Sequence, residues 1–150
     1  ANGKFLAFTG ADAPAVRDIV GTVAQSGGIP TGALIEGGSN ANGVYVRWSD
    51  GTQICVGVTD EQTTDTVFMA GSPTTLYYNT TPCAGTFAAA FAAAPKVIFN
   101  GVRSDGAGSL RLTGASVGVP STTAPGLLRS VSNLSTHKVT HQYLALGRWF

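Results

Sequence analysis

The sequence predicts an all-β protein, an antiparallel β-sandwich, from three observations. In the stretch 37–58, GGSNANGVYVRWSDGTQICVGV, two apolar runs flank Asp50-Gly51, which is a strong signal for a β-hairpin. Beyond residue 31, turn-forming residues separate further short apolar runs, as in sandwiches and small barrels. Charged residues make up only 11% of the chain, against about 25% in an average domain, whereas glycine is abundant. A chain of 150 residues can bury a core of this kind without a disulfide or a metal.

The first thirty residues differ from the rest, so we divide the chain into an N-terminal segment, 1–30, and a β-sandwich, 31–150. Asp12 is a candidate N-cap, Pro14 falls in the first turn and Gly21 is a stop signal, which together predict one short helix. Ser26-Gly-Gly-Ile-Pro30 is predicted to be a linker. An isolated helix of two turns is marginal in water, so it needs a surface to pack on, and neighbouring copies of the chain are a natural candidate.

The hairpin around Asp50-Gly51 predicts more than two strands. Pairing across a two-residue turn places Trp48 opposite Gln53 and Val46 opposite Cys55. Both faces of the hairpin then carry large apolar groups. One face belongs in the sandwich core, and the other needs a cover, supplied by neighbouring subunits or by a helix or loop of the same chain.

Further strands are predicted in the apolar runs that follow: Val67–Ala70, Thr75–Asn79, Lys96–Val102, Ser109–Thr113, Leu127–Val131 and Gln142–Trp149. The run from Phe87 to Pro95, FAAAFAAAP, fits one face of either a helix or a strand, and its alanines favour a helix. Because strand signals lie on both sides of it, we predict a strand followed by a loop that Pro95 closes.

Composition also argues against several classes of partner. The net charge is +1, with an acidic first half and a basic second half, and the basic residues are isolated rather than clustered as nucleic-acid binding requires. No run approaches the ~18 apolar residues of a membrane span. Cys55 and Cys83 match no zinc spacing. We expect Cys55 to be a buried thiol, leave a disulfide with Cys83 open, and expect no metal or cofactor.

Residues that could support catalysis do not form a known pattern. No serine lies in a Gly-x-Ser-x-Gly turn, and the pair His137 and His141 lacks the glutamate of a zinc-protease motif. We expect both histidines to lie in a loop or at a strand edge, with a metal shared around a threefold axis as the alternative. A glycosidase needs two carboxylates at a defined separation. A turn and a solvated loop account for the candidates, which are Asp105, Asp60, Glu61 and Asp65. The sequence therefore predicts a protein that is not an enzyme.

A binding function has more support. Sites for sugars combine aromatic faces with a few polar groups that fix orientation. Tyr77 and Tyr78 are adjacent in a predicted strand, so only one can face the core and the other must be exposed or at an interface. Arg103 and Arg111 flank a glycine-rich loop and could hold a phosphate or carboxylate of an acidic glycan through paired hydrogen bonds. These four residues are the predicted ligand-binding site.

Several blocks of the sequence resemble the C-terminal, receptor-binding head domain of phage and prophage tail-fibre proteins. The two most specific blocks are Asn42-Gly-Val-Tyr-Val-Arg47 and Asp50-Gly-Thr-Gln-Ile-Cys55. Similar blocks precede and follow them, namely Gly21–Gly28, Pro30–Glu36, Phe87–Val97 and Ala145–Phe150. The resemblance covers most of residues 20–150.

This resemblance implies a homotrimeric β-sandwich head, similar to the H-type lectins, at the tip of a virion fibre made in the bacterial cytoplasm. Residues 1–30 would connect the head to the fibre shaft. The implied partners are other tail or fibre proteins and a polysaccharide or lipopolysaccharide of the host surface. Three functions follow: a tip that binds this glycan without cleaving it, a structural trimerisation or capping module, and a depolymerase. Residues 59–85 are long for the family's connection, and loops of this kind carry specificity.

Overall fold

The structure, a computed structural model, describes residues 4–8, 14–70, 75–103, 115–116, 118–132 and 136–150. Every regular element in these ranges is a β-strand, and neighbouring strands pair in antiparallel fashion, which confirms the predicted all-β class. The strands are β1 (Lys4–Phe8), β2 (Pro14–Asp18), β3 (Gln25–Ser26), β4 (Ile29–Pro30), β5 (Ile35–Asn40), β6 (Gly43–Trp48), β7 (Thr52–Val58), β8 (Gln62–Thr63), β9 (Thr66–Met69), β10 (Leu76–Tyr78), β11 (Lys96–Arg103), β12 (Ala115–Ser116), β13 (Leu128–Arg129), β14 (Val131–Ser132) and β15 (Lys138–Arg148).

The main sheet has the strand order β11-β15-β7-β6-β5, and β8 extends it by pairing with the start of β15. Strand β15 is its longest strand, paired with β11 on one side and with β7 and β8 on the other. Its residues alternate between buried and exposed, which is the period of a strand with one covered face. Smaller sheets are formed by β9, β10 and β14, by β1 and β2, by β3 and β4, and by β12 and β13.

The hairpin of β6 and β7 is present, but its predicted register is wrong by one residue. Tyr45 lies opposite Cys55 and Val46 opposite Ile54. The loop has three residues rather than two, because the N–H of Gly51 donates to the Trp48 carbonyl (3.0 Å) and Gly51 itself adopts φ = +94°. A type I turn followed by a left-handed glycine is the usual three-residue solution. The shift by one residue changes which side chains share a face.

One face of the main sheet is covered by a second layer, so the architecture is sandwich-like. Cys55, Tyr143 and Ala145 on this covered face pack against Phe87 and Phe91. The Phe87 ring makes edge-to-face contacts with Phe91 and Tyr143, with centroids 5.0 and 5.6 Å away. Such contacts add to the free energy of burial. A second cluster joins the covered face to β13 through Cys83, Leu128 and Val139.

The run from Phe87 to Pro95 forms neither the predicted strand nor a helix. Its backbone is irregular, and both phenylalanines are buried. The intervening carbonyls accept hydrogen bonds from side chains of the main sheet: Ala88 from Asn40 (2.8 Å) and Ala89 from Gln53 (2.9 Å). In a regular strand these carbonyls would bond to a neighbouring strand, but here side chains of the main sheet satisfy them. The segment can therefore stay irregular and bury both phenylalanine rings.

The predicted N-terminal helix is wrong, because Pro14–Asp18 is strand β2, paired with β1 so that Leu6 lies opposite Val16. Asp12, its proposed cap, lies outside the described residues. The capping signals were local, whereas β1 offers a partner strand, and a β-branched residue such as Val16 favours strands.

The predicted linker Ser26–Pro30 is a tight hairpin instead, with Gly27 and Gly28 at φ = +58° and +84° between β3 and β4. Positive φ at both positions is typical of a type I′ turn, for which Gly-Gly is well suited. The N–H of Ala33 donates to the Thr22 carbonyl, and that of Ile35 to the Ile19 carbonyl (both 2.9 Å). These bonds join residues on both sides of position 30. The proposed division of the chain at this position stays a prediction.

Both cysteines are free and fully buried, so the disulfide that the sequence left open is not formed. Cys55 belongs to the cluster around Phe87 and Phe91, whereas Cys83 belongs to the cluster around Leu128. Burial raises the pKa of both thiols, that of Cys83 to about 11. Both are therefore inert, structural thiols.

The opposite face of the main sheet is apolar and largely exposed. We call its central surface the apolar band, which consists of Val44, Val46, Ile54, Val56, Val58, Ile98, Leu144 and Leu146. Most of these side chains are exposed, Ile98 to 70% and Val44 to 52%. The hairpin therefore does carry apolar groups on both faces, as the sequence predicted, although with different cross-strand partners.

Candidate functional site

Tyr77 and Tyr78 lie in β10, the central strand of the sheet that β9 and β14 complete. Tyr77 is opposite Val67 and Ser132, and Tyr78 is opposite Thr66 on one side. Adjacent residues of a strand point to opposite faces. Both tyrosines are half-buried, so neither is enclosed in the core.

Arg129, which the sequence analysis did not select, lies over the ring of Tyr78. Its guanidinium carbon is 5.3 Å from the ring centroid, within the range of a cation–π contact, and its Nη2 donates to the Thr80 carbonyl (3.2 Å). The Nε of Arg129 is buried, and no described atom accepts a hydrogen bond from it. The only sequence signal for this arginine was its place in the predicted strand Leu127–Val131, which gave no indication of the stacking.

Asp65 completes the group through Thr80. One oxygen of its exposed carboxylate accepts hydrogen bonds from the Thr80 hydroxyl (2.7 Å), the Thr80 N–H (3.1 Å) and the Thr66 hydroxyl (3.1 Å). The bond from the Thr80 hydroxyl is the main reason that the pKa of Asp65 is lowered. Asp65 and Arg129 thus both bind Thr80, which brings a carboxylate, a guanidinium and the Tyr78 ring together.

The neighbouring acidic residues have separate structural partners rather than a shared site. Asp60 accepts hydrogen bonds from the Ala84 N–H and the Gln62 side chain, and Glu61 forms an ion pair with Lys138 (2.9 Å). Among the described residues, no group of three or more His, Cys, Asp or Glu side chains could hold a metal ion.

No contact within the described part of the chain brings Arg103 or Arg111 to this group. Arg103 ends β11 in the main sheet, opposite Val139, whereas Tyr77 and Tyr78 belong to the smaller sheet. The side chain of Arg103 and the whole of Arg111 lie outside the described residues. Their role in ligand binding stays a prediction.

Both histidines are buried; His137 lies in the loop directly before β15, as the sequence predicted, whereas His141 lies inside β15 and not at its edge. His137 and His141 are 2% and 1% exposed. The Nε2 of His141 lies 2.7 Å from the hydroxyl of Ser130, whose N–H donates to the Asn79 side chain (2.6 Å). Burial lowers the pKa of His141. Ser130 and His141 are a pair of the kind that activates a nucleophile. Both side chains are fully buried. Their hydrogen bond links β15 of the main sheet to the residue before β14 of the smaller sheet, which is a structural role.

Comparison of the chain with protein-family models, with curated proteins and with solved structures found no match. Within the described ranges, no helix has the length and apolar character that crossing a membrane requires.

Proposed function

We propose that this chain is a homotrimeric receptor-binding head at the tip of a virus fibre, which binds a glycan of the bacterial surface without cleaving it. The resemblance of the sequence blocks to tail-fibre heads suggests the biological setting, a virion attaching to its host. The ligand class is a polysaccharide or lipopolysaccharide, and no nucleic acid or inserted membrane takes part.

The observation that carries the proposal is the group of Tyr78, Arg129, Asp65 and Thr80. Arg129 covers one face of the Tyr78 ring, so a sugar ring would stack on the accessible part of that ring or on Tyr77. The guanidinium supplies donors and the carboxylate supplies acceptors, which suits the vicinal hydroxyls of a sugar. The Asp65 carboxylate of the group repels anions, so the site favours neutral glycans over strongly anionic ones. Weak single sites suffice, because three copies bind with avidity.

Binding of intact host cells and of a glycan array by the purified chain tests the proposal. We expect Tyr77→Ala, Tyr78→Ala and Arg129→Gln each to weaken binding about tenfold or more, which is a loss of about 1.4 kcal/mol. Arg17→Gln is the matched control, because Arg17 lies in β2 and donates to the Gly32 carbonyl instead (3.4 Å). Binding that survives all three substitutions would exclude this site. Binding that is lost with Arg103→Gln alone would move it to the main sheet.

A structural module that ends a fibre and holds its three chains together is the second candidate. The exposed apolar face of the main sheet favours it, because that face is a larger feature than the tyrosine site. A chain that forms trimers but binds neither host cells nor any glycan would support this role over recognition. Release of oligosaccharides from purified host polysaccharide would instead indicate a depolymerase.

A further inference from the structure

The apolar band is continuous across four strands of the main sheet. Direct cross-strand partners define a first row, Val44, Val56, Leu144 and Ile98, and a second row beside it, Val46, Ile54 and Leu146. Six of the band's eight side chains are exposed to 42% or more. Such side chains stand side by side on one face of a pleated sheet, so the exposed groups form one surface rather than scattered spots.

The size of the band is that of the largest apolar patch of a typical protein, which is often a functional surface. Four strands at about 4.8 Å spacing and a depth of about 17 Å give a flat area of roughly 330 Å². Monomeric proteins rarely expose larger apolar patches, and the largest one is often functional. The solvent-accessible area of the band and its rim is larger than this flat area. It comes within about a factor of two of the ~800 Å² that one partner buries in a standard interface.

The chemistry of the band selects the partner. No charged residue lies inside the band; Lys96 lies opposite Leu146 at the β11 edge, and Gln142 lies opposite Val58 at one end. A flat surface of Val, Ile and Leu packs against another sheet as the inner faces of a sandwich do. A partner must offer an uncharged sheet face of the same width, and a second copy of this chain offers one.

We infer that the apolar band is the surface through which copies of this chain pack against one another, each band facing the common axis of the assembly. This inference deepens the proposed function and rests on it for the number of copies. In a ring of three copies the contacts are heterologous, so each band meets the bands of its two neighbours through different parts of its surface.

Thiol reactivity tests the inference directly. Cys55 and Cys83 are 0% exposed, so a maleimide reports only on an introduced cysteine. The thiol introduced by Ile98→Cys is expected to react about tenfold or more slowly than the one introduced by Val119→Cys, because it reacts only when the assembly opens. Val119, between β12 and β13, is the matched control, since it is 88% exposed and lies outside the band. Equal rates in the assembled protein would overturn the inference.

A charge placed in the band tests it a second time. Val56→Lys is expected to give a folded single chain by light scattering and circular dichroism, whereas Val119→Lys keeps the assembly of the unmodified chain. If Val56→Lys does not fold, Ile98→Lys on the edge strand β11 replaces it, because Ile98 is 70% exposed. An assembly that persists with either folded band variant contradicts the inference.

The outcomes separate the inference from the proposed function. A trimer in which both introduced thiols react equally overturns the inference alone. A dimer with a protected Ile98→Cys thiol overturns the homotrimer alone. A wild-type chain that is monomeric but still binds glycan overturns the inference and leaves the recognition role in place.

Discussion

The two faces of the main sheet are built from the same strands and are both rich in apolar side chains, yet only one is a core. Strand β15 sends Tyr143 and Ala145 to the covered face and Leu144 and Leu146 to the exposed face. The chain covers the first face with Phe87 and Phe91 and leaves the second to solvent. Apolar content thus identifies a sheet, whereas the covering layer decides which face becomes the core.

The faces also differ in their polar groups. The covered face buries Gln53, His141 and the hydroxyl of Tyr143, and each has a hydrogen-bond partner; the Tyr143 hydroxyl donates to the Thr86 carbonyl (2.8 Å). The apolar band contains only aliphatic side chains. Paired polar groups specify one arrangement of the covering layer, whereas an aliphatic surface selects its partner only by shape and by the absence of charge.

The largest difference between the faces is expected for truncation of a ring. Phe91→Ala removes a buried ring from the covered face and is expected to lower the free energy of unfolding by about 3–5 kcal/mol. Leu146→Ala, in the band, is expected to cost about 1 kcal/mol or less in chains dilute enough to be monomeric, because its side chain is already 46% exposed. Urea unfolding measures both, and equal losses would mean that the covered face is not the core.

A matched pair of glycines sharpens the comparison. A Cβ at Gly57, on the covered face, would lie 2.3 Å from the Tyr143 hydroxyl, whereas one at Gly37, on the other face, meets only the Tyr45 carbonyl at 3.8 Å. Gly57→Ala is therefore expected to lower the free energy of unfolding by about 1–3 kcal/mol. Gly37→Ala is expected to change it by less than about 1 kcal/mol. Thermal unfolding of the two variants is the measurement, and a larger loss for Gly37→Ala would contradict the assignment of faces.

A pH dependence is expected from the covered face. Burial lowers the pKa of His141, so the unfolded chain takes up this proton at a higher pH than the folded chain does. The stability that the neutral imidazole contributes is complete above about pH 6.5 and is lost as the pH falls toward the folded pKa. His141→Gln should therefore show a shallower loss of stability between about pH 7 and pH 5. Carboxylates titrate alike in both proteins, so the difference in free energy of unfolding between wild type and variant isolates the histidine. Identical pH profiles of the two proteins would exclude this role of His141.

The smallest expected effect concerns the thiols. With both cysteines buried and their pKa values raised, a thiol reagent at about pH 8 should find none in the folded chain and two after denaturation. Reaction in the folded state would show that the covering layer opens readily. Failure to find two thiols after denaturation would reinstate the disulfide.

Local patterns predicted elements better than partners. The Asp50-Gly51 signal located the β6–β7 hairpin, but its register depended on a third loop residue that composition does not specify. The helix predicted near Pro14 is a strand, because pairing with β1 outweighs capping signals that act only on neighbours in the sequence. The alanine-rich run is irregular, because its carbonyls bond to side chains of distant strands.

The candidate site shows the same limit. Adjacent tyrosines are visible in the sequence, but Arg129 follows Tyr78 by some fifty positions, and it lies in β13, two residues before the strand β14 that pairs with β10. Arg103 and Arg111 were selected for their proximity to a loop, which is a property of the sequence and not of the sheet.

The sequence alone determined the class of the fold, the positions of β6, β7, β9, β10, β11 and β15, and the apolar character of both sides of the hairpin. These features depend on alternation and turn chemistry, which act over a few residues. The tertiary structure decided the register, the face that became the core, the free state of both cysteines and the stacking of Arg129 on Tyr78. Each of these depends on contacts between residues distant in the chain, which local patterns do not encode.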